Sequence, residues 1–90
     1  MAIAALIVKM MPQSPQTDLH KMKEEAQHKL ESKGARNITF EENPIGFGLK
    51  ALMVKFAWPE EKPTEEVESV LSSVSGVSSV SIEDYRRAFG

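Results

Sequence analysis

The chain contains no cysteine. That excludes a disulfide framework, a thiolate zinc site and a thiol nucleophile, and it suits a reducing cytoplasm. A basic excess is missing too. Eleven Lys and Arg against 13 Asp and Glu give a formal net charge of -2, so the domain as a whole lacks the positive footprint that phosphate neutralisation needs. Nor is there a long apolar run. Met1 to Val8 is apolar, but Lys9 interrupts it and no basic segment precedes it. It reads as a buried first strand, not as a signal peptide or a membrane span. What remains is 90 residues, 41% hydrophobic and 27% charged, the composition of one small soluble domain. A chain of this size hides roughly 60–65% of its extended surface on folding, enough for a single core.

Periodicity divides the chain into six elements. Ala2 to Met11 is rich in Ile, Leu and Val and has the length of a strand. Pro12, Ser14 and Pro15 end it, and Thr17 or Asp18 can cap a following helix. Leu19, Met22, Ala26 and Leu30 recur at helical spacing, with Gly34 placed to stop the helix. From Ala35 to Glu42, Ile38 and Phe40 alternate with polar residues, as in a half-buried strand. Leu49 to Trp58 is the longest strand, with Leu52, Val54, Phe56 and Trp58 on one face and Lys50 and Lys55 on opposite faces. Pro59 to Pro63 is an acidic turn, and Thr64 is a candidate cap for a second helix striped by Val67, Val70, Leu71 and Val74. Gly76 ends that stretch. Val77, Val80 and Ile82 supply a last strand, leaving Tyr85 to Gly90 as a short tail.

The order strand, helix, strand, strand, helix, strand, with right-handed crossovers, predicts an α+β ferredoxin-like βαββαβ sandwich. Both helices then lie on one face of a four-stranded antiparallel sheet, and residues 1–90 form one domain. The opposite face has no cover. With Leu6, Val8 and Met10 turned to the helices, Ile3, Ala5, Ile7 and Met11 point outward. A contiguous apolar set there suggests docking or weak homo-association.

Enzyme chemistry finds no support in the residues. His20 and His28 lie two turns apart on one helix and cannot share a metal. No Gly-x-Ser-x-Gly elbow frames any serine. The paired acids Glu41–Glu42, Glu60–Glu61, Glu65–Glu66 and Glu83–Asp84 are sequence neighbours whose side chains diverge. An acylphosphatase of this topology needs a basic Gly-rich loop after strand one, where this chain has Met11-Pro12-Gln13-Ser14-Pro15. No catalytic residue, metal site or cofactor is expected.

The informative stretch is Pro44-Ile45-Gly46-Phe47-Gly48-Leu49-Lys50-Ala51-Leu52. Glycine tolerates positive φ, so Gly46 and Gly48 place Phe47 on a tight bend, either as a corner of the core or as a finger offered to a partner. The segment imitates the centre of an RNA-recognition strand, whose pattern is Lys/Arg-Gly-Phe/Tyr-Gly/Ala-Phe-Val-x-Phe/Tyr. It departs where stacking requires a ring. Ile45, Leu49 and Leu52 occupy the basic and aromatic positions, and strand one carries no aromatic. An RNA-binding or interaction module using the open face is the alternative reading.

Three segments together carry a family resemblance: Val8 to Pro15 with Thr17-Asp18-Leu19, then Glu42 to Leu52, then Asp84-Tyr85-Arg86-Arg87. The chain resembles the archaeal elongation factor 1-beta family along essentially its whole length. The resemblance implies a cytoplasmic guanine nucleotide exchange domain that binds elongation factor 1-alpha and speeds GDP release so that GTP can reload. It implies no covalent chemistry, no direct nucleic-acid contact and no membrane. Phe47 would be the inserted finger, presented by Gly46 and Gly48, with Pro44 and Ile45 fixing its approach. Eukaryotic relatives end in Lys-Leu, the lysine reaching toward the GTPase magnesium site. This chain has Arg86 and Arg87 near its end instead, as the cations that would take that part.

Overall fold

The structure is a computed structural model and describes residues 2–88. Six elements follow in the expected order: β1 (Ile3–Pro12), α1 (Leu19–Ser32), β2 (Arg36–Gly46), β3 (Leu49–Pro59), α2 (Thr64–Ser72) and β4 (Val77–Ala88). The strands form one antiparallel sheet in the order β2-β3-β1-β4. Parity along the strands decides the core. Leu6, Val8 and Met10 of β1 and Leu52, Val54, Phe56 and Trp58 of β3 are buried on one face. Against them the helices bury Met22, Ala26, Leu30, Val67 and Leu71. The fold is the ferredoxin-like α+β sandwich.

Local chemistry explains the boundaries. Asp18 caps α1, its carboxylate accepting from the amides of His20 at 3.0 Å and Lys21 at 3.2 Å. Thr17 is turned to another use, accepting a 3.2 Å bond from the Ser14 amide. Gly34, at φ +100, reverses the chain after α1. The second helix starts differently from the reading above. Pro63 occupies the cap position with no side-chain bond, and Thr64 is already helical. The Pro63 carbonyl accepts from the Glu66 amide, while Glu65 and Glu66 bring negative charge to the free amides of the first turn.

The expected tail also proves to be strand. β4 continues past Ile82 to Ala88, while Phe89 and Gly90 lie outside the described residues. The register shifts between Val8↔Ile82 and Ile7↔Asp84, leaving Glu83 as a bulge. An inserted residue inverts the inside–outside alternation beyond it, so charged Asp84 to Arg87 follow no single polar face. β4 is a sheet edge, where such residues are tolerated.

Ile3, Ala5 and Ile7 do reach the uncovered face, around a shallow depression of ≈ 610 Å³ that Lys55, Ala57, Asp84 and Arg86 also line. The strand aromatics turn away from it. Phe40 stands opposite Val54, Tyr85 opposite Leu6, and Phe56 and Trp58 are buried under the helices.

Candidate functional site

The β2–β3 hairpin closes in a way few sequences choose. Pro44 pairs with Lys50 and Gly46 with Leu49, so Ile45 is skipped as a bulge and Phe47-Gly48 alone form the connection. Both connecting residues have positive φ, +55 for Phe47 and +77 for Gly48, and Gly46 precedes them at +105. Positive φ at both central residues is what a two-residue type I′ hairpin turn requires, and Asn-Gly is its usual occupant. A phenylalanine there suffers the Cβ–carbonyl crowding of the left-handed region, about 1–2 kcal/mol.

Nothing local offsets that strain. The Phe47 ring is 98% exposed. A phenylalanine left in water forgoes the ~1.5–3 kcal/mol that burial would bring. The side chain is therefore unfavourable twice over for the isolated fold. It stands clear of the fold and is not a corner of the core. Ile45 adds a second exposed apolar side chain, at 39%, and Pro44 is exposed as well.

A loop lies close behind the exposed ring. The β1–α1 loop lies under the tip, and the Pro15 ring comes within 3.6 Å of the point where a Gly48 Cβ would stand. That loop is pinned in turn. The Thr17 amide donates to the Ser14 carbonyl at 3.1 Å, and the Gln13 amide donates to the Gly76 carbonyl at 2.9 Å. Beside the tip, Lys50 and Lys23 flank Glu42. Lys23 Nζ is 2.9 Å and Lys50 Nζ 3.8 Å from the carboxylate. The Lys23 hydrogen bond and then its charge hold the Glu42 carboxyl below its ordinary value; burial opposes them, and the Lys50 charge adds the smallest part.

Arg86 and Arg87 are elsewhere. They pair with Ala5 and Ala4 of β1, in register with Ala57 and Trp58 of β3. Running from Leu49 to Ala57 at about 3.3 Å per residue puts ~26 Å between the arginines and the tip. The molecule is 41 Å in its longest dimension, so the two sets occupy its opposite ends. Arg86 Nε lies 2.9 Å from Asp84 and Arg87 Nε 3.0 Å from Glu60. Pro44 to Gly48 are thus brought together with one another but not with the arginines. What sequence reasoning did not assign is the role of Pro15 and the nearness of Lys50. Strand parity places Lys50 opposite Pro44, but the Pro15 contact spans a loop far away in sequence and has no local signal.

No group of three or more His, Asp or Glu side chains that could hold a metal occurs among the described residues. His20 bonds Glu24 one turn on, and both are exposed. No helix among the described residues is long and apolar enough to cross a membrane.

Comparison with known proteins places the whole domain. Residues 5–88 match the family model of the EF-1 guanine nucleotide exchange domain. The elongation factor 1-beta of Methanosphaera stadtmanae is 39% identical over 88 residues, covering 97% of this chain and 98% of that protein. Those of Methanosarcina acetivorans and Aeropyrum pernix are 40% and 39% identical, the first over 96% of this chain and 99% of its own, the second over 97% and 98%. The family model and the similarity across nearly the whole length agree: the chain belongs to the EF-1 guanine nucleotide exchange domain family and is a guanine nucleotide exchange factor of translation elongation.

Proposed function

We propose that the chain acts on elongation factor 1-alpha in the cytoplasm, by protein–protein binding alone, with Phe47 as the group that loosens GDP. The observation that supports this reading is an almost fully exposed phenylalanine at φ +55. The requirement is linkage: the factor must bind the nucleotide-free GTPase more tightly than the GDP-bound one. Each tenfold loss of nucleotide affinity needs about 1.4 kcal/mol of such difference. A ring wholly buried only in the nucleotide-free complex is worth ~1.5–3 kcal/mol, one to two powers of ten. Pro44, Ile45, Gly46 and Gly48 set the height and angle of the ring. Arg86 and Arg87, at the other end of the sheet, contact a separate region of the GTPase instead of entering the same pocket.

Stopped-flow release of a fluorescent GDP analogue from the cognate GTPase tests this. Phe47→Ala is expected to keep the fold, read by circular dichroism, and to lose the acceleration. A folded Phe47→Ala protein with full acceleration overturns the finger.

A second reading uses the uncovered sheet face. Ile3 is 38% exposed beside Ala5 and Ile7, an apolar set suited to weak self-association. Sedimentation would reveal a dimer that this face accounts for. RNA binding has less support, because successive bases stack on an aromatic platform and Phe40, Phe56, Trp58 and Tyr85 all stand on the helix side of the sheet, not on its open face.

A further inference from the structure

Arg86 and Arg87 are ~26 Å from the exposed ring along the strands. One cation does stand at the tip. Lys50 lies opposite Pro44, next to the Gly46↔Leu49 pair that closes the hairpin. Its side chain is 54% exposed, and its only ion-pair neighbour among the described residues is Glu42, at 3.8 Å. That carboxylate is already taken. Lys23 reaches across from α1 to donate a 2.9 Å hydrogen bond to it, so Glu42 neutralises Lys23 first and leaves Lys50 charge for another partner. Lys50 also walls a groove of ≈ 290 Å³ with Pro15, Thr17 and Gly48. Pro15, which also lines this groove, is the residue nearest the open side of Gly48. Exposed ring, groove and ammonium therefore lie side by side at one end of the sheet.

We propose that Lys50 is the cation that works with Phe47, pairing with a carboxylate on the rim of the apolar GTPase pocket that receives the ring. The proposal rests on the finger reading above. Its division of labour is physical. The ring has a fixed height and supplies the apolar contact whose burial differs between nucleotide states. Lysine is a hydrated point charge on a flexible stem, able to find a rim carboxylate before the ring is fully seated. Rim charges of this kind act mainly on encounter and orientation, and their effect falls with salt. Lys50 thus governs how readily the complex forms, and Phe47 what it does once formed.

The test is GDP-analogue release measured against increasing exchange factor, at low and at high salt. Lys50→Met should raise the concentration giving half-maximal acceleration about fivefold at low salt. The plateau rate should stay, and much of the salt dependence should disappear. Lys50→Arg should return the half-maximal concentration to within about twofold, since it restores the charge. Replacing Arg86 and Arg87 with Gln should leave the Lys50→Met ratio unchanged, because groups so far apart behave additively. Thermal melts of each variant, with Lys50→Gln as a second neutral form, separate folding from binding. An unchanged half-maximal concentration and salt dependence in both neutral variants, with Phe47→Ala still inactive, overturns the role of Lys50 and leaves the finger standing. A lowered plateau at unchanged half-maximal concentration overturns it also. Full exchange by Phe47→Ala removes the finger reading and this proposal with it.

Discussion

β3 begins beside one aromatic and ends on another, and the two could hardly be treated more differently. Phe47, just before the strand, is 98% exposed; Trp58, near its far end, is wholly buried. Around Trp58 every polar requirement is met. Its indole N–H donates to the Lys62 carbonyl at 3.3 Å, Phe56 packs edge-on with ring centroids 6.1 Å apart, and Lys62 Nζ lies 5.4 Å from the ring centroid. Around Phe47 there is backbone strain and water. The same residue class stabilises the fold at one end and burdens it at the other. The lesson is that hydrophobicity alone does not assign a ring to the core. Strand parity put Trp58 under the helices, and a two-residue turn threw Phe47 out.

That contrast can be broken from either side. Trp58→Ala removes a buried ring and should cost ~3–5 kcal/mol, a large share of the ~5–13 kcal/mol that a domain of this size holds. Urea titration should show the midpoint collapse, whereas Phe47→Ala should shift it by no more than about 0.5 kcal/mol. Equal losses at the two positions would contradict the division drawn here. A smaller and opposite effect is expected for Phe47→Asn. Asparagine suits the left-handed turn, so the fold should gain up to ~1 kcal/mol while exchange is lost. Stability and activity would then move in opposite directions at one residue.

The smallest effect concerns pH and the lysine pair beside the tip. Folding lowers the Glu42 pKa below its ordinary 4.5, first through the Lys23 hydrogen bond and charge. The unfolded chain therefore takes up the proton at higher pH than the native one. The stabilisation is complete above the ordinary value and is lost as pH falls from about 4.5 through the lower native value. Glu42→Gln should lower stability slightly across the neutral range, flatten that part of an acid-unfolding profile, and leave stability below the native value little changed. A steeper acid limb in the variant would reverse the sign of the argument.

Much of this was legible in the chain itself. Apolar content and length marked the first strand, apolar spacing marked the helices and the middle strands, and Val77, Val80 and Ile82 marked the start of the last. The Gly-Phe-Gly spacing marked the bend. Three things were not legible, each for its own reason. The Glu83 bulge broke the alternation that would have shown Tyr85 to Ala88 to be strand. Thr64 is a good capping type, but Pro63 before it already held the extended backbone at φ -69, ψ 143, leaving Thr64 inside the helix. And Arg86 and Arg87 share the motif-bearing segments of the sequence without sharing the end of the sheet where Phe47 stands.

By itself the sequence determined what short-range forces control: strand and helix periods, a carboxylate at the head of α1, and glycines where the backbone turns left-handed. Each depends on neighbours within a few residues, so a linear reading suffices. Only the tertiary structure decided that the Phe47 ring stands in water, that the Pro15 loop lies beside Gly48, that Arg86 and Arg87 stand at the other end of the sheet, and that Glu42 is held by a lysine of α1. These depend on register and on contacts between residues far apart in the chain, where a shift of one position moves every side chain to the other face.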